Sequence, residues 1–129
     1  MQASNFKIFV VDDEYIIIST LTAILNRSGF DATGYSNPVI ALQAMETLAP
    51  DLVISDISMP NMNGIELGIQ INTKHPACKI LLFSGQAATS SLLIEAGKQG
   101  HHFTVLTKPL HPRDLLAAIH KEMSITSTN

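Results

Sequence analysis

The chain predicts an α/β domain built on a doubly wound, five-stranded parallel sheet with helices on both faces. Three observations carry that expectation. Short, apolar, β-branched runs recur along the sequence, and each is followed by about 10–15 residues with helical spacing of apolar positions. Such alternation demands right-handed crossovers, which cover a parallel sheet on both sides. With 129 residues, 46% of them hydrophobic, the chain is the size of one domain and can build a core without disulfide or metal staples.

The first strand is Phe6 to Val11, which ends abruptly on Asp12-Asp13-Glu14. From Glu14 to about Ser28 the residues Ile17, Leu21, Ile24 and Leu25 recur at helical spacing, and Gly29 stands where a helix stop belongs. Asp31 to Tyr35 is a weak second strand, and Pro38 to about Leu48 is a helix with proline in its first turn. Leu52 to Ser55 reads as a buried third strand; a helix follows Gly64 and ends before Pro76. Lys79 to Phe83, a helix from Ala87 to about Lys98, Phe103 to Thr107, and a helix from Pro112 to about Met123 complete the series. Residues 1–5 read as an N-terminal tail, 6–123 as the domain, and 124–129 as a polar, frayed tail or the start of a linker.

The net charge of −3 is mild and the eight Lys and Arg residues are scattered, so the electrostatic footprint of a nucleic-acid binder is missing. The single cysteine, Cys78, allows no intramolecular disulfide and reads as an inert hydrophobe at a strand start. No signal-peptide pattern is seen, and no apolar run approaches the ~20 residues of a membrane helix. The expected location is the cytoplasm, without membrane association, and an output domain beyond Asn129 is compatible with a sequence this short.

An open parallel sheet delivers the last residue of every strand to one edge, where ligands bind. The strand ends here supply Asp12 and Asp13, then Asp56, Ser84 and Lys108. Crowded carboxylates repel one another unless a cation compensates. Oxygen-only ligands of this kind favour Mg²⁺, which keeps several waters and takes one or two carboxylates plus a phosphate oxygen. One acid can then act as nucleophile toward phosphorus. Asp56 suits that role because it stands alone at the end of the central strand, whereas Asp12 and Asp13 are adjacent and suited to holding metal.

The segments Val11-Asp12-Asp13-Glu14, Ser55-Asp56-Ile57-Ser58-Met59-Pro60 with Met62 and Gly64, Phe83-Ser84-Gly85 and Thr107-Lys108-Pro109 occur in this order over nearly the whole chain. Together they resemble the receiver domain of two-component response regulators, whose fold is the flavodoxin-like (βα)5 sheet. The resemblance implies that Asp56 accepts a phosphoryl group from a phosphohistidine on a sensor histidine kinase or histidine phosphotransfer protein. It also implies that Asp13, Asp56 and the Ser58 carbonyl hold Mg²⁺, with Asp12 helping directly or through water. Lys108 would contact the phosphoryl group, Ser84 would swing toward it, and the Lys108-Pro109 bond would be cis. Ser58 and Gln86 occupy positions that modulate phosphoryl lifetime in the family. Such a domain catalyses its own phosphorylation and dephosphorylation and turns over no separate substrate.

One position departs from the family pattern. Three residues before the strand-end lysine, where an aromatic ring usually rotates, stands Val105. Phe103 has the same strand parity but lies two residues further from the active edge, a poor substitute. The signal is therefore expected to travel through the loop after Ser84 and the fourth helix. The turn Lys98-Gln99-Gly100-His101-His102 is also unusual.

Several residues have simpler readings. Asp12 and Asp13 could cap the first helix, and Ser84-Gly85 could be an ordinary turn. His101 and His102, adjacent and without Cys/His spacing, read as loop residues rather than metal ligands. His75, His111 and His120 read as surface residues, Met59 and Met62 as packing around the turn, and Gly64 as a residue that relaxes the backbone where the next helix begins. Ile16-Ile17-Ile18 exceeds what one helix face buries; the surplus is either overpacking or a docking patch for a phosphohistidine bundle.

The competing function is a receiver-like protein-interaction module that works without phosphorylation. The haloacid dehalogenase type of aspartyl-phosphate hydrolase needs Asp-x-Asp after the first strand, which Asp12-Asp13-Glu14 does not supply. A flavodoxin needs a Ser/Thr-rich phosphate loop there, also missing.

Overall fold

The predicted alternation is present in the computed structural model, which describes residues 6–85 and 90–127. The elements are β1 (Lys7–Val11), α1 (Tyr15–Arg27), β2 (Asp31–Tyr35), α2 (Pro38–Thr47), β3 (Leu52–Asp56), α3 (Gly64–Lys74), β4 (Lys79–Ser84), α4 (Ser90–Lys98), β5 (Thr104–Thr107) and α5 (Pro112–Ser127). The five strands form one parallel sheet in the order β2-β1-β3-β4-β5, so the chain reverses direction of winding between β1 and β3. The expected tail 1–5, the expected helix start at Ala87, and Gln86 lie outside the described residues.

Strand alternation sorts the core into two layers. Ile8 and Val10 of β1, with Leu52 and Ile54 of β3 and Leu81 and Phe83 of β4, pack against Leu21 and Leu25 of α1 and Leu115 and Ile119 of α5. Their neighbours Phe9, Val11, Val53 and Leu82 face the opposite way, toward Ala41 and Met45 of α2, Ile71 of α3 and Ala96 of α4. Every residue of β3 is buried, as a central strand covered on both faces requires.

Local chemistry sets the helix ends. Asn37 caps α2 by accepting from the Val39 amide at 2.8 Å, and Pro38 occupies the first turn, where its missing N–H costs nothing. Gly29, just past α1, has φ +99°, the left-handed conformation that glycine tolerates. At the other end of the chain α5 continues to Ser127, four residues past its expected end at Met123. Ser and Thr are only modestly poorer helix formers than Ala, so a polar composition alone does not stop a helix that is already packed.

Phe103 settles against α3. A β-carbon on Gly68 would lie 2.7 Å from the Phe103 ring, so the ring fills the notch that this glycine leaves. The ring also stacks on His101 at 6.4 Å, and His101 Nδ1 lies 3.1 Å from Asn72 Nδ2 of α3. His101 and His102 are loop residues, as expected, and the unusual turn between α4 and β5 is tethered to α3.

Candidate functional site

Register brings the strand ends together. Val11 pairs with Ser55, Asp56 with Phe83, and Ser84 with Thr107, so the next residues along β1 and β5 (Asp12 and Lys108) flank Asp56 on one edge of the sheet. Backbone bonds extend this order past the strands: Asp12 N–H donates to Tyr35 O at 3.2 Å, Ile57 N–H to Phe83 O at 3.0 Å, and Lys108 N–H to Ser84 O at 3.0 Å. The Lys108-Pro109 peptide is cis.

Asp12, Asp13 and Asp56 each offer one carboxylate oxygen to a cluster in which these atoms lie within 4.8 Å of one another. Asp12 and Asp56 are buried and Asp13 is exposed. Asp12 Oδ1 accepts the Glu14 amide at 2.8 Å. Its Oδ2 is buried and has no hydrogen-bond partner among the described residues. Burial pushes the Asp12 carboxyl up to about 6; the Glu14 hydrogen bond pulls the other way, and repulsion from Asp56 adds to the rise. Among the described residues, a buried carboxylate oxygen without a hydrogen-bond partner, on one member of a cluster of three carboxylates, suits a hard cation, and this all-oxygen donor set could hold a divalent ion.

Lys108 Nζ lies 3.4 Å from Asp56 Oδ2, and the Ser58 amide lies 3.4 Å from Asp56 Oδ1. Ser84 ends β4, buried at the same edge, while Ser58 is exposed in the loop after Asp56. Val105 is half-buried against the layer that contains Ala96 of α4. The structure thus brings together Asp12, Asp13, Asp56, Ser58, Ser84 and Lys108 around one edge.

The loop after Asp56 differs from its sequence reading in one respect. Gly64 is expected to relax the backbone as α3 begins, yet the left-handed residue in this loop is Asn61, with φ 73°. Asparagine tolerates that conformation better than most residues. The glycine serves close approach instead: a β-carbon at position 64 would run into the carbonyl oxygen of Asp56. Asn63 and Glu66 form a reciprocal capping box at the start of α3, with bonds of 2.8 and 2.9 Å, a pattern legible as Asn-x-x-Glu. Gly64→Ala is expected to lower stability by about 1–3 kcal/mol in urea unfolding, because the backbone that carries Asp56 has to move.

The sequence places Phe83 beside Ser84 but assigns its ring no part in the site. Its ring centroid lies 5.2 Å from Lys108 Nζ. The signal was available, since Phe83 is the last apolar residue before Ser84.

The sequence model of the family described as "Response regulator receiver domain" matches residues 8–120. This chain belongs to that family. As a receiver domain it is the phosphoacceptor signalling module of two-component response regulators. It is 34% identical over 117 residues to the alkaline phosphatase synthesis transcriptional regulatory protein PhoP of Bacillus subtilis, an alignment covering 89% of this chain and 47% of that protein. The receiver domain thus spans about half the length of that relative. Among solved structures, the signal receiver domain of an HD domain-containing protein from Pseudomonas fluorescens Pf-5 superposes with a TM-score of 0.87 at 25% identity, covering 97% of this chain and 99% of that one. A CheY-like receiver domain from Methanospirillum hungatei JF-1 gives a TM-score of 0.83 at 26% identity, covering 95% and 96%. Among the described residues no helix is long and apolar enough to cross a membrane.

Proposed function

We propose that Asp56 is the phosphoacceptor of this receiver domain and that it takes the phosphoryl group from a phosphohistidine on a sensor histidine kinase or histidine phosphotransfer protein. The observation that carries this reading is the position of Asp56: buried at the end of the central strand, 3.4 Å from Lys108 Nζ, and clustered with the Asp12 and Asp13 carboxylates. An oxygen of Asp56 attacks phosphorus, the bond from phosphorus to the imidazole nitrogen breaks, and the electron pair stays on that nitrogen. Lys108 offsets charge on the transferred oxygens. Ser84, at the neighbouring strand end, accompanies the new anion.

Asp12, Asp13, Asp56 and the Ser58 carbonyl would hold Mg²⁺, which supplies neutralisation of the developing negative charge. Return of the acceptor to its free state needs water to attack the same phosphorus, leaving Asp56 as a carboxylate. Ser58 and Gln86 are positioned in the sequence to tune that rate. Both half-reactions belong to the domain itself, which makes it a self-modifying signalling domain rather than an enzyme with a separate substrate. The proposed setting is the cytoplasm, where the phosphorylated form acts on an output domain or protein partner.

The docking face for the phosphohistidine is assigned to α1. Ile16 and Tyr15 are 74% and 77% exposed, whereas Ile18 is buried, so the surplus of the Ile16-Ile17-Ile18 run faces outward. Ile17, Thr20 and Leu21 of the same helix line an apolar groove of about 500 Å³ that reaches Lys108 and Pro109. Ile16→Asp is expected to slow transfer from a phosphohistidine protein about tenfold, and to slow phosphorylation by acetyl phosphate far less. Equal slowing with both donors would remove α1 as the docking face.

Val105 cannot swing a ring, and Phe103 is held in the Gly68 notch, so readout is assigned to Ser84 and α4. Comparison of free and beryllofluoride-treated protein by NMR is expected to show large shifts at Ser84 and along α4. Large shifts confined to Val105 and its contacts would contradict this. The test of the function as a whole is Mg²⁺-dependent phosphorylation by acetyl phosphate, compared with Asp56→Asn.

A further inference from the structure

Lys108 has to hold its ammonium group in one place while the anion beside it changes from a free carboxylate to a phosphorylated one. A lysine stem is flexible, and a single ion pair fixes it at one point only. The ion pair with Asp56, at 3.4 Å, is itself the contact that the reaction alters. Something that the reaction leaves alone must keep the ammonium in the site.

Phe83 meets that need. It is fully buried, paired in register with Asp56 on one side and Leu106 on the other, and its carbonyl accepts the Ile57 amide at 3.0 Å. Its ring is packed in the layer with Leu115 and Ile119 of α5 and forms a wall of the groove beside α1. Lys108 Nζ stands over that ring, 5.2 Å from its centroid. The stem of Lys108 passes the bare side of Gly85, where a β-carbon would meet Lys108 Cδ at 3.5 Å. The negative face of an aromatic ring attracts a cation at this range, and an aliphatic residue at position 83 would offer no such field.

We propose that Phe83 is a positioning residue for phosphoryl transfer, its ring holding the Lys108 ammonium beside Asp56 through a cation–π contact that persists whichever anion Lys108 faces. This rests on the phosphoacceptor reading of Asp56.

The test separates the ring's electrostatics from its bulk. Phe83→Leu removes the ring, while 3,4,5-trifluorophenylalanine placed at position 83 keeps its shape and depletes its negative face. In protein carrying ¹³C-lysine, with Lys108 assigned through Lys108→Arg, the ε-methylene protons of Lys108 are expected upfield from ring current and to return to ordinary values in Phe83→Leu. Phosphorylation by acetyl phosphate is expected to fall about three- to tenfold in the fluorinated protein, with an unchanged amide spectrum. Unshifted Lys108 methylene protons in the unaltered protein, or an unaltered rate after fluorination, would overturn the proposal. If the unaltered chain takes no phosphoryl group at all, the phosphoacceptor reading fails, and the ring-current shift still decides whether Phe83 holds Lys108.

Discussion

Asp56→Asn is expected to abolish phosphorylation by acetyl phosphate and by any phosphohistidine donor, with a loss of about a thousandfold or more. An amide is a far weaker nucleophile than a carboxylate, and the substitution also removes the charge of one of the three carboxylates that cluster within 4.8 Å. Intact-mass spectrometry in Mg²⁺ checks this directly, because one phosphoryl group adds a single discrete increment. The bond formed is an acyl phosphate, so hydroxylamine should remove it. Retained phosphorylation in Asp56→Asn would move the acceptor to Asp12 or Asp13. An unaltered chain that binds Mg²⁺ yet gains no mass would instead make it an interaction module that works without phosphate. The variant itself should fold, since the two backbone anchors of this strand end, Ile57 N–H to Phe83 O and Gly64 N–H to Ile57 O, do not involve the carboxylate.

The parts of this design that follow from periodicity and strand ends are legible in the sequence. Alternation of Ile8 and Val10 with Phe9 and Val11 implies two buried faces, and a parallel sheet then delivers Asp12, Asp56, Ser84 and Lys108 to a common edge. What periodicity does not carry is the reason for a small residue or the extent of a helix. Gly64 reads as a flexible joint, but its contact is with the Asp56 carbonyl, eight positions back in the sequence, which no local pattern reveals. Phe103 reads as the first residue of the fifth strand, but it precedes β5, and its partner Gly68 is visible only once α3 is laid on the sheet. The end of α5 at Ser127 escaped because composition says little about where a packed helix stops. The two buried features that matter most chemically, the unpaired Oδ2 of Asp12 and the Phe83 ring under Lys108, depend on side-chain direction as well as order.

Asp12 gives the site a pH dependence whose sign is fixed by burial. Burial pushes its carboxyl up to about 6 in the folded chain against a reference of 3.8, so folded protein holds this proton to higher pH than unfolded protein does. Stability is therefore lost as pH rises from the unfolded value toward the folded one: the relief is full below 3.8 and gone above about 6. A displacement of about two pH units corresponds to roughly 3 kcal/mol, or on the order of 10 °C in melting temperature for a domain of this size. Asp12→Asn keeps an oxygen for the Glu14 amide and carries no charge at any pH. Without divalent ions it should melt higher than the unaltered chain at pH 7.5, and the gap should close as pH falls through 6 toward 4. Mg²⁺ competes with the proton for the same carboxylate, so its stabilisation should be large at pH 7.5, shrink below pH 6, and be much reduced in Asp12→Asn. Thermal melts at several pH values, with and without Mg²⁺, check all three. Parallel curves for the two proteins across this range, with equal stabilisation by Mg²⁺, would mean that Asp12 carries neither the buried charge nor the metal.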